Sequence, residues 1–163
     1  MLILSLTLLG SLLFLALYEY WGHRVFLHHP WFVRQLSLSQ DHIEHHKRFT
    51  IMFLGEEPWA WYDAVWIRGL FGLVWSSILM VPVAIWLYWP SALMFVVLAT
   101  SHGAFWQLIH NRMHDPKREW WRDRRWFMTL CKFHSIHHRK LWFNYGFVFA
   151  PWMDKLFGTY RRT

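Results

Sequence analysis

GLFGLVWSSILMVPVAIWLYWPSALMFVVLATSHGAFWQLIH, residues 69–110, runs for 42 residues without Asp, Glu, Lys or Arg. As one helix it would rise about 63 Å, twice the roughly 30 Å of a bilayer's hydrocarbon core. It therefore reads as a helical hairpin. The reversal is expected at YWPS, 88–91, because Pro90 disfavours helix in the residue before it and Tyr88 and Trp89 suit a membrane interface. Pro82 is expected as a kink within the first arm. Upstream, MLILSLTLLGSLLFLALY (1–18) is uncharged and would rise about 27 Å, enough for one more crossing. It lacks a basic stretch before the apolar run and a small-residue cleavage site after it, so it reads as an uncleaved anchor rather than a signal peptide.

The fold class expected is all-α: one membrane domain, 1–163, bundling about three transmembrane helices (or four) at about 1–22, 69–89 and 91–110. A cap is expected from residues 23–68 and 111–163. Composition agrees, at 55% hydrophobic and 21% aromatic residues. All 17 Lys and Arg lie within 23–68 and 112–163, which under the positive-inside rule places both segments in the cytoplasm and the N-terminus outside. The membrane would be the plasma or inner membrane of a bacterium, or the endoplasmic reticulum of a eukaryote. The net charge of +7 comes from basic residues mixed with tryptophan, which suits an anionic lipid surface and not a nucleic acid. One cysteine, Cys131, excludes an intrachain disulfide or a thiolate metal cage. GEEPWAWYDAVW (55–66) reads as a turn and an interfacial helix starting at Pro58, and the aromatic, Arg-bearing tail at 119–133 and 141–152 has the same interfacial character.

Chemistry is concentrated in the twelve histidines. DHIEHHK (41–47) and HSIHHRK (134–140) both contain HxxHH, whose imidazoles at i, i+3 and i+4 project within about 60° on one helix face. His42, His45 and His46 form one such face; His134, His137 and His138 form the other. His110 and His114 add an i, i+4 pair at the inner end of the third span. His23 and His28 stand five residues apart, about 140° on an α-helix, and converge only if the helix ends or bulges between them. Ten imidazoles expected near one membrane face exceed what a single ion takes, so they imply two ions. His29 reads as simply exposed. His102, within the third span, either bonds a neighbouring helix or lines a substrate path. Glu19, Asp41, Glu44 and Asp115 lie close in sequence to these histidines; each reads either as an acceptor for a second ring nitrogen or as half of a surface ion pair.

HRVFLH (23–28), DHIEHH (41–46), HNRMH (110–114) and HSIHH (134–138), followed by NYGF (144–147) and WMDKLFGTYR (152–161), resemble the fatty acid hydroxylase and sterol desaturase superfamily of membrane oxygenases. The match covers roughly residues 19–161. The resemblance implies a helical bundle capped by a dimetal site, with two iron ions in the active form and zinc as a substitute in a recombinant sample. It implies an oxidoreductase in which O2 and two electrons attack an unactivated C–H bond of a lipid, by hydroxylation or by desaturation. The ten histidines would be the ligands and no other side chain catalytic. Asn144 would orient water at the metal or simply form the FNYG turn. No fused haem domain accompanies the boxes, so electrons are expected from a separate cytochrome b5, ferredoxin or reductase type of donor. A homodimer could complete the substrate tunnel, although GSLLFLAL offers little small-residue packing.

Three other classes make different demands. A metal transporter or metal store needs ligands inside the spans, where 69–109 offer only His102, a few hydroxyls and Gln107. A transmembrane haem protein needs axial histidines on facing spans, whereas here they crowd beyond them. A structural zinc protein needs only one closed four-ligand set.

Overall fold

A computed structural model of the chain describes residues 2–49, 65–83, 88–115, 122–148 and 151–162. Among the described residues every regular element is helical: α1 (Leu2–Trp21), a π-helical turn (Gly22–Leu27), α2 (Pro30–Gln35), α3 (Ser37–Phe49), α4 (Val65–Val83), α5 (Trp89–His114), α6 (Arg125–Arg139) and α7 (Trp152–Leu156). The interfacial helix expected from Pro58 lies outside the described residues. The chain divides into two compact units, Met1–Leu15 with Pro58–Asn111 and Ala16–Glu57 with Arg112–Thr163.

In the first unit, α4 and α5 pack through their glycines. A Cβ at Gly103 would stand 2.6 Å from the Arg68 carbonyl oxygen, and one at Gly72 only 2.7 Å from that of Ala99. Such close approach is open only to residues without a side chain. The pairing of 68 with 103 and 72 with 99 makes the two helices antiparallel, as a hairpin requires. Phe14 of α1 packs on Phe95 and Trp75, at ring separations of 5.5 and 6.3 Å. One turn and more toward the N-terminus, Thr7 and Ser91 share a 2.8 Å hydrogen bond, so α1 and α5 run in the same direction. Leu2, Leu9, Ile78 and Val97 remain more than half exposed, an apolar surface suited to lipid and not to water. The helix from α1 through the π turn and the helix α5 are long and apolar enough to cross a membrane; Trp66–Pro82 is apolar but shorter.

One local expectation needs correction. Trp89 and Pro90 are the first residues of α5, so YWPS starts a helix and is not the reversal. The reason is that a first-turn proline has no N–H to lose, because that N–H lacks an intrahelical partner anyway. Pro82 lies inside α4, as expected, near the end of its described residues.

The second unit has an aromatic and imidazole core. Tyr20, fully buried, packs against Trp21, Tyr145 and Phe157 at 5.4, 5.6 and 4.8 Å. α6 buries Phe127, Phe133, His134, Ile136, His137 and His138 on one face. α2 starts where His29 accepts a hydrogen bond from the Trp31 amide and Pro30 takes the first helical position.

Candidate metal centre

His23 and His28 are brought together by the π turn. Hydrogen bonding from i to i+5 widens the helix, so residues five apart come onto one face, and the two rings stand 5.1 Å apart. The bulge alternative is therefore the one the chain adopts. α3 and α6 then face their HxxHH boxes toward this turn, and the rings sort into two groups.

The first group is His23, His28, His42, His46 and His137, with all five ligand atoms within 4.8 Å of one another. The Nε2 separations are 3.1 Å for His23–His42, 3.1 Å for His23–His137, 3.1 Å for His28–His137, 3.2 Å for His28–His42 and 3.0 Å for His42–His46. Two ligands at right angles on an ion with metal–nitrogen bonds of about 2.1 Å would be separated by about 3 Å, so the spacing fits a coordination shell. Proton positions sharpen the point. His23 Nδ1 lies 2.7 Å from the Tyr145 carbonyl and His137 Nδ1 lies 2.8 Å from that of Phe143. A carbonyl only accepts, so in each neutral ring Nδ1 holds the proton and Nε2 presents its lone pair. The lone pairs of His23 and His137 thus face each other at 3.1 Å. A cation between them resolves the conflict.

Burial disfavours a proton as that cation. It pushes His28 down to about 2, with the neighbouring His23 adding to the effect. His42, His46 and His137 are held well below the usual imidazole range, first by burial and then by the charge of neighbouring imidazoles. His138 is lowered for the same reasons. Neutral imidazole is the form that binds metal.

The second group includes His45, His114, His134 and His138. His134 Nε2 lies 2.9 Å from that of His114 and 3.1 Å from that of His138. The His45 ring stands 4.6 Å from His114 and 4.9 Å from His138. Phe49 packs on His114 at 4.3 Å and Phe147 on His134 at 4.4 Å, so carbon walls this group. The groups adjoin where the rings of His46 and His138 approach to 4.1 Å. His110 is buried one turn before His114 on the same helix and stacks on Trp106 at 5.1 Å.

The division of the boxes is reciprocal. α3 gives its i, i+4 pair, His42 and His46, to the first group and His45 to the second. α6 gives its i, i+4 pair, His134 and His138, to the second and His137 to the first. The repetition of HxxHH is thereby accounted for: each box serves both groups.

The carboxylates close in sequence to these histidines have the following surroundings. Glu19 accepts the backbone N–H groups of Phe147 and Val148. Glu44 pairs with Lys47 at the surface and Asp115 with Arg112. Asp41 is half-buried on α3, one residue before His42. Asn144 sits at φ 58°, a left-handed corner that asparagine tolerates. Its side chain accepts from the Arg161 amide and donates to the carbonyls of Arg161 and Phe133, which favours the turn reading. His102 is half-buried on α5, beside the glycine where α4 comes closest. His29 is exposed at the start of α2.

Sequence reading passed over Asp154. It is 1% exposed and accepts from the amides of Tyr145 and Gly146 at 2.9 and 3.0 Å and from the Thr159 hydroxyl at 2.7 Å. Burial raises its pKa while these bonds pull it back. The signal was an acidic residue inside WMDKLFGTY, a stretch otherwise aromatic, apolar and basic.

The family model for fatty acid hydroxylases matches residues 8–159, nearly the whole chain. No curated protein and no solved structure matches.

Proposed function

Because the chain belongs to the fatty acid hydroxylase family, a family of oxidoreductases, we propose that it is a membrane-bound, O2-dependent di-iron oxygenase. Its reaction would hydroxylate an aliphatic carbon of a lipid, a fatty acyl chain or a related molecule. The observation that carries this reading is the pair of opposed Nε2 lone pairs, His23 and His137 at 3.1 Å, held by carbonyls behind both rings. A structural zinc site would need four ligands; two adjoining groups provide more than twice that.

In this reading His23, His28, His42, His46 and His137 hold one ion, and His45, His114, His134 and His138 hold the other, with His110 added from the preceding turn of α5. When bound, the iron pair supplies O2 activation: with two electrons and two protons, C–H becomes C–OH and the second oxygen atom leaves as water. The chain's own contribution is to bind, orient and exclude water. Ten neutral imidazoles contribute no negative charge, which preserves the positive field of the two cations. Tyr145 and Phe143 fix two ring tautomers through their carbonyls. Phe49 and Phe147 keep carbon against the second group, so an acyl chain can approach without water. No side chain attacks the substrate.

The apolar helices seat the protein in a bilayer. The Lys and Arg distribution supports a cytoplasmic metal centre with the N-terminus outside. Electrons would come from a separate donor of the cytochrome b5, ferredoxin or reductase type. Desaturation is the alternative outcome of the same chemistry, decided by where the carbon sits relative to the oxidant.

Expression with iron and a reductase system, followed by mass spectrometry of host lipids, tests the proposal against a His137→Ala control. A lipid heavier by one oxygen atom, absent from the control, is expected. A lipid lighter by two hydrogen atoms would assign a desaturase, and identical lipid profiles would refute the oxygenase reading.

A further inference from the structure

The segment after α6 follows the first histidine group without forming a strand or a helix, so each of its peptide groups needs a partner from elsewhere. Those partners divide by chemistry. Five successive amides are taken up on one side: Asn144 by the Thr159 carbonyl at 3.0 Å, Tyr145 and Gly146 by the Asp154 carboxylate at 2.9 and 3.0 Å, and Phe147 and Val148 by Glu19. The carbonyls of Phe143 and Tyr145 accept from His137 and His23.

One peptide group is shared between a charge and a ring. The Tyr145 carbonyl and the Gly146 N–H belong to the same planar amide. The carbonyl accepts from His23 Nδ1 at 2.7 Å, and the N–H donates to Asp154 Oδ2 at 3.0 Å. The order is carboxylate, peptide, imidazole. An ionised acceptor on the N–H side polarises the amide and makes its carbonyl a stronger acceptor, because serial hydrogen bonds in a low-dielectric interior reinforce one another. The corresponding chain behind His137 runs through the Phe143–Asn144 peptide and ends on the neutral Thr159 carbonyl.

The carboxylate is itself locked. Thr159 Oγ donates to Oδ1 at 2.7 Å and therefore accepts from the Tyr20 hydroxyl, 3.0 Å away. The Tyr20 hydroxyl in turn accepts from Arg24 at 2.8 Å. Donors and acceptors alternate consistently from the guanidinium to Asp154.

We propose that Asp154 is the positioning residue of the first metal site, acting on His23 through the Tyr145–Gly146 peptide in the role that a directly bonded carboxylate plays behind many metal-binding histidines. The inference rests on the metal reading above and assigns its effect to one of the two ions. Asp154 touches neither the ion nor the substrate. Removing its charge weakens His23 as a ligand and releases the Tyr145 carbonyl from its fixed position. The second group, whose rings are not held by this peptide, keeps its ion.

The test uses the full-length, zinc-loaded chain in detergent and its Asp154→Asn variant, with bound zinc counted during titration with a chelator. Wild type is expected to hold two ions. In Asp154→Asn one ion should leave at a chelator concentration roughly 10–100-fold lower, the usual effect of losing a supporting partner, while the other is retained as in wild type. In selectively 15N-labelled protein the Nδ1–H proton resonance of His23 should move and that of His137 should stay. Retention of the second ion by Asp154→Asn separates loss of the relay from general unfolding. Two ions of unchanged affinity in Asp154→Asn would overturn the proposal, as would simultaneous loss of both. A wild-type chain that binds no zinc would overturn the metal reading together with it.

Discussion

His29 and His28 are neighbours with opposite environments. His28 is buried with its Nε2 between those of His42 and His137; His29 is exposed and caps a helix. A ring contributes to metal binding only where several lone pairs converge, so the two should respond differently to removal. His42→Ala, His46→Ala or His137→Ala is expected to leave one ion of two. His134→Ala or His138→Ala is expected to leave the other, and His29→Ala to leave both; elemental analysis of purified protein decides. Loss of an ion from His29→Ala would contradict the division. Ten of the twelve histidines could be singled out by spacing, but spacing on one helix face does not say which of the two groups each ring joins. Three rings within about 60° can be split between two centres in several ways, and the partner helices select one. Asp154 was harder to read for a related reason: two of the three donors to its carboxylate are backbone amides, which leave no residue pattern.

The elements differ in how directly sequence dictates them. An uncharged run of twice a bilayer's thickness must fold back, and α4 and α5 do run antiparallel. What sequence did not announce is that their contact depends on Gly72 and Gly103. Gly103→Ala would place a methyl 2.6 Å from a backbone oxygen, which no side-chain rotation relieves. The expected cost is about 1–3 kcal/mol, read as a lower melting temperature in detergent. Gly10 has nothing within 4 Å of its added Cβ, so Gly10→Ala should leave the melting temperature unchanged or raise it through helix propensity. Equal destabilisation by both substitutions would show that the glycine contact is not what holds the pair. The π turn was half legible, since the five-residue interval between His23 and His28 demanded either a bulge or an end, and both satisfy the same residues.

For the whole molecule, the buried imidazoles set a pH dependence. Above about pH 6.5 they are neutral both folded and unfolded and contribute no pH slope. Below it the unfolded chain takes up protons that the folded centre refuses, His28 down to about 2 and His42, His46 and His137 well below their ordinary value. The unfolded state then binds more protons, so metal-free protein should lose stability as pH falls from 6.5 toward those folded values. Zinc loading should raise the melting temperature at neutral pH, with the difference shrinking as acid competes for the ligands. A metal-free melting temperature that stays level between about pH 7 and about pH 5 would refute this account. The sequence by itself determined that the chain is helical, apolar and rich in imidazoles spaced as metal ligands are, because charge distribution and histidine spacing are properties of the linear order. Only the tertiary structure decided that each HxxHH box serves both groups and that backbone carbonyls, one of them braced by Asp154, stand behind the rings. Those facts depend on which helices and peptides meet in space, and hydrogen bonds made by the main chain carry no residue identity from which to read them beforehand.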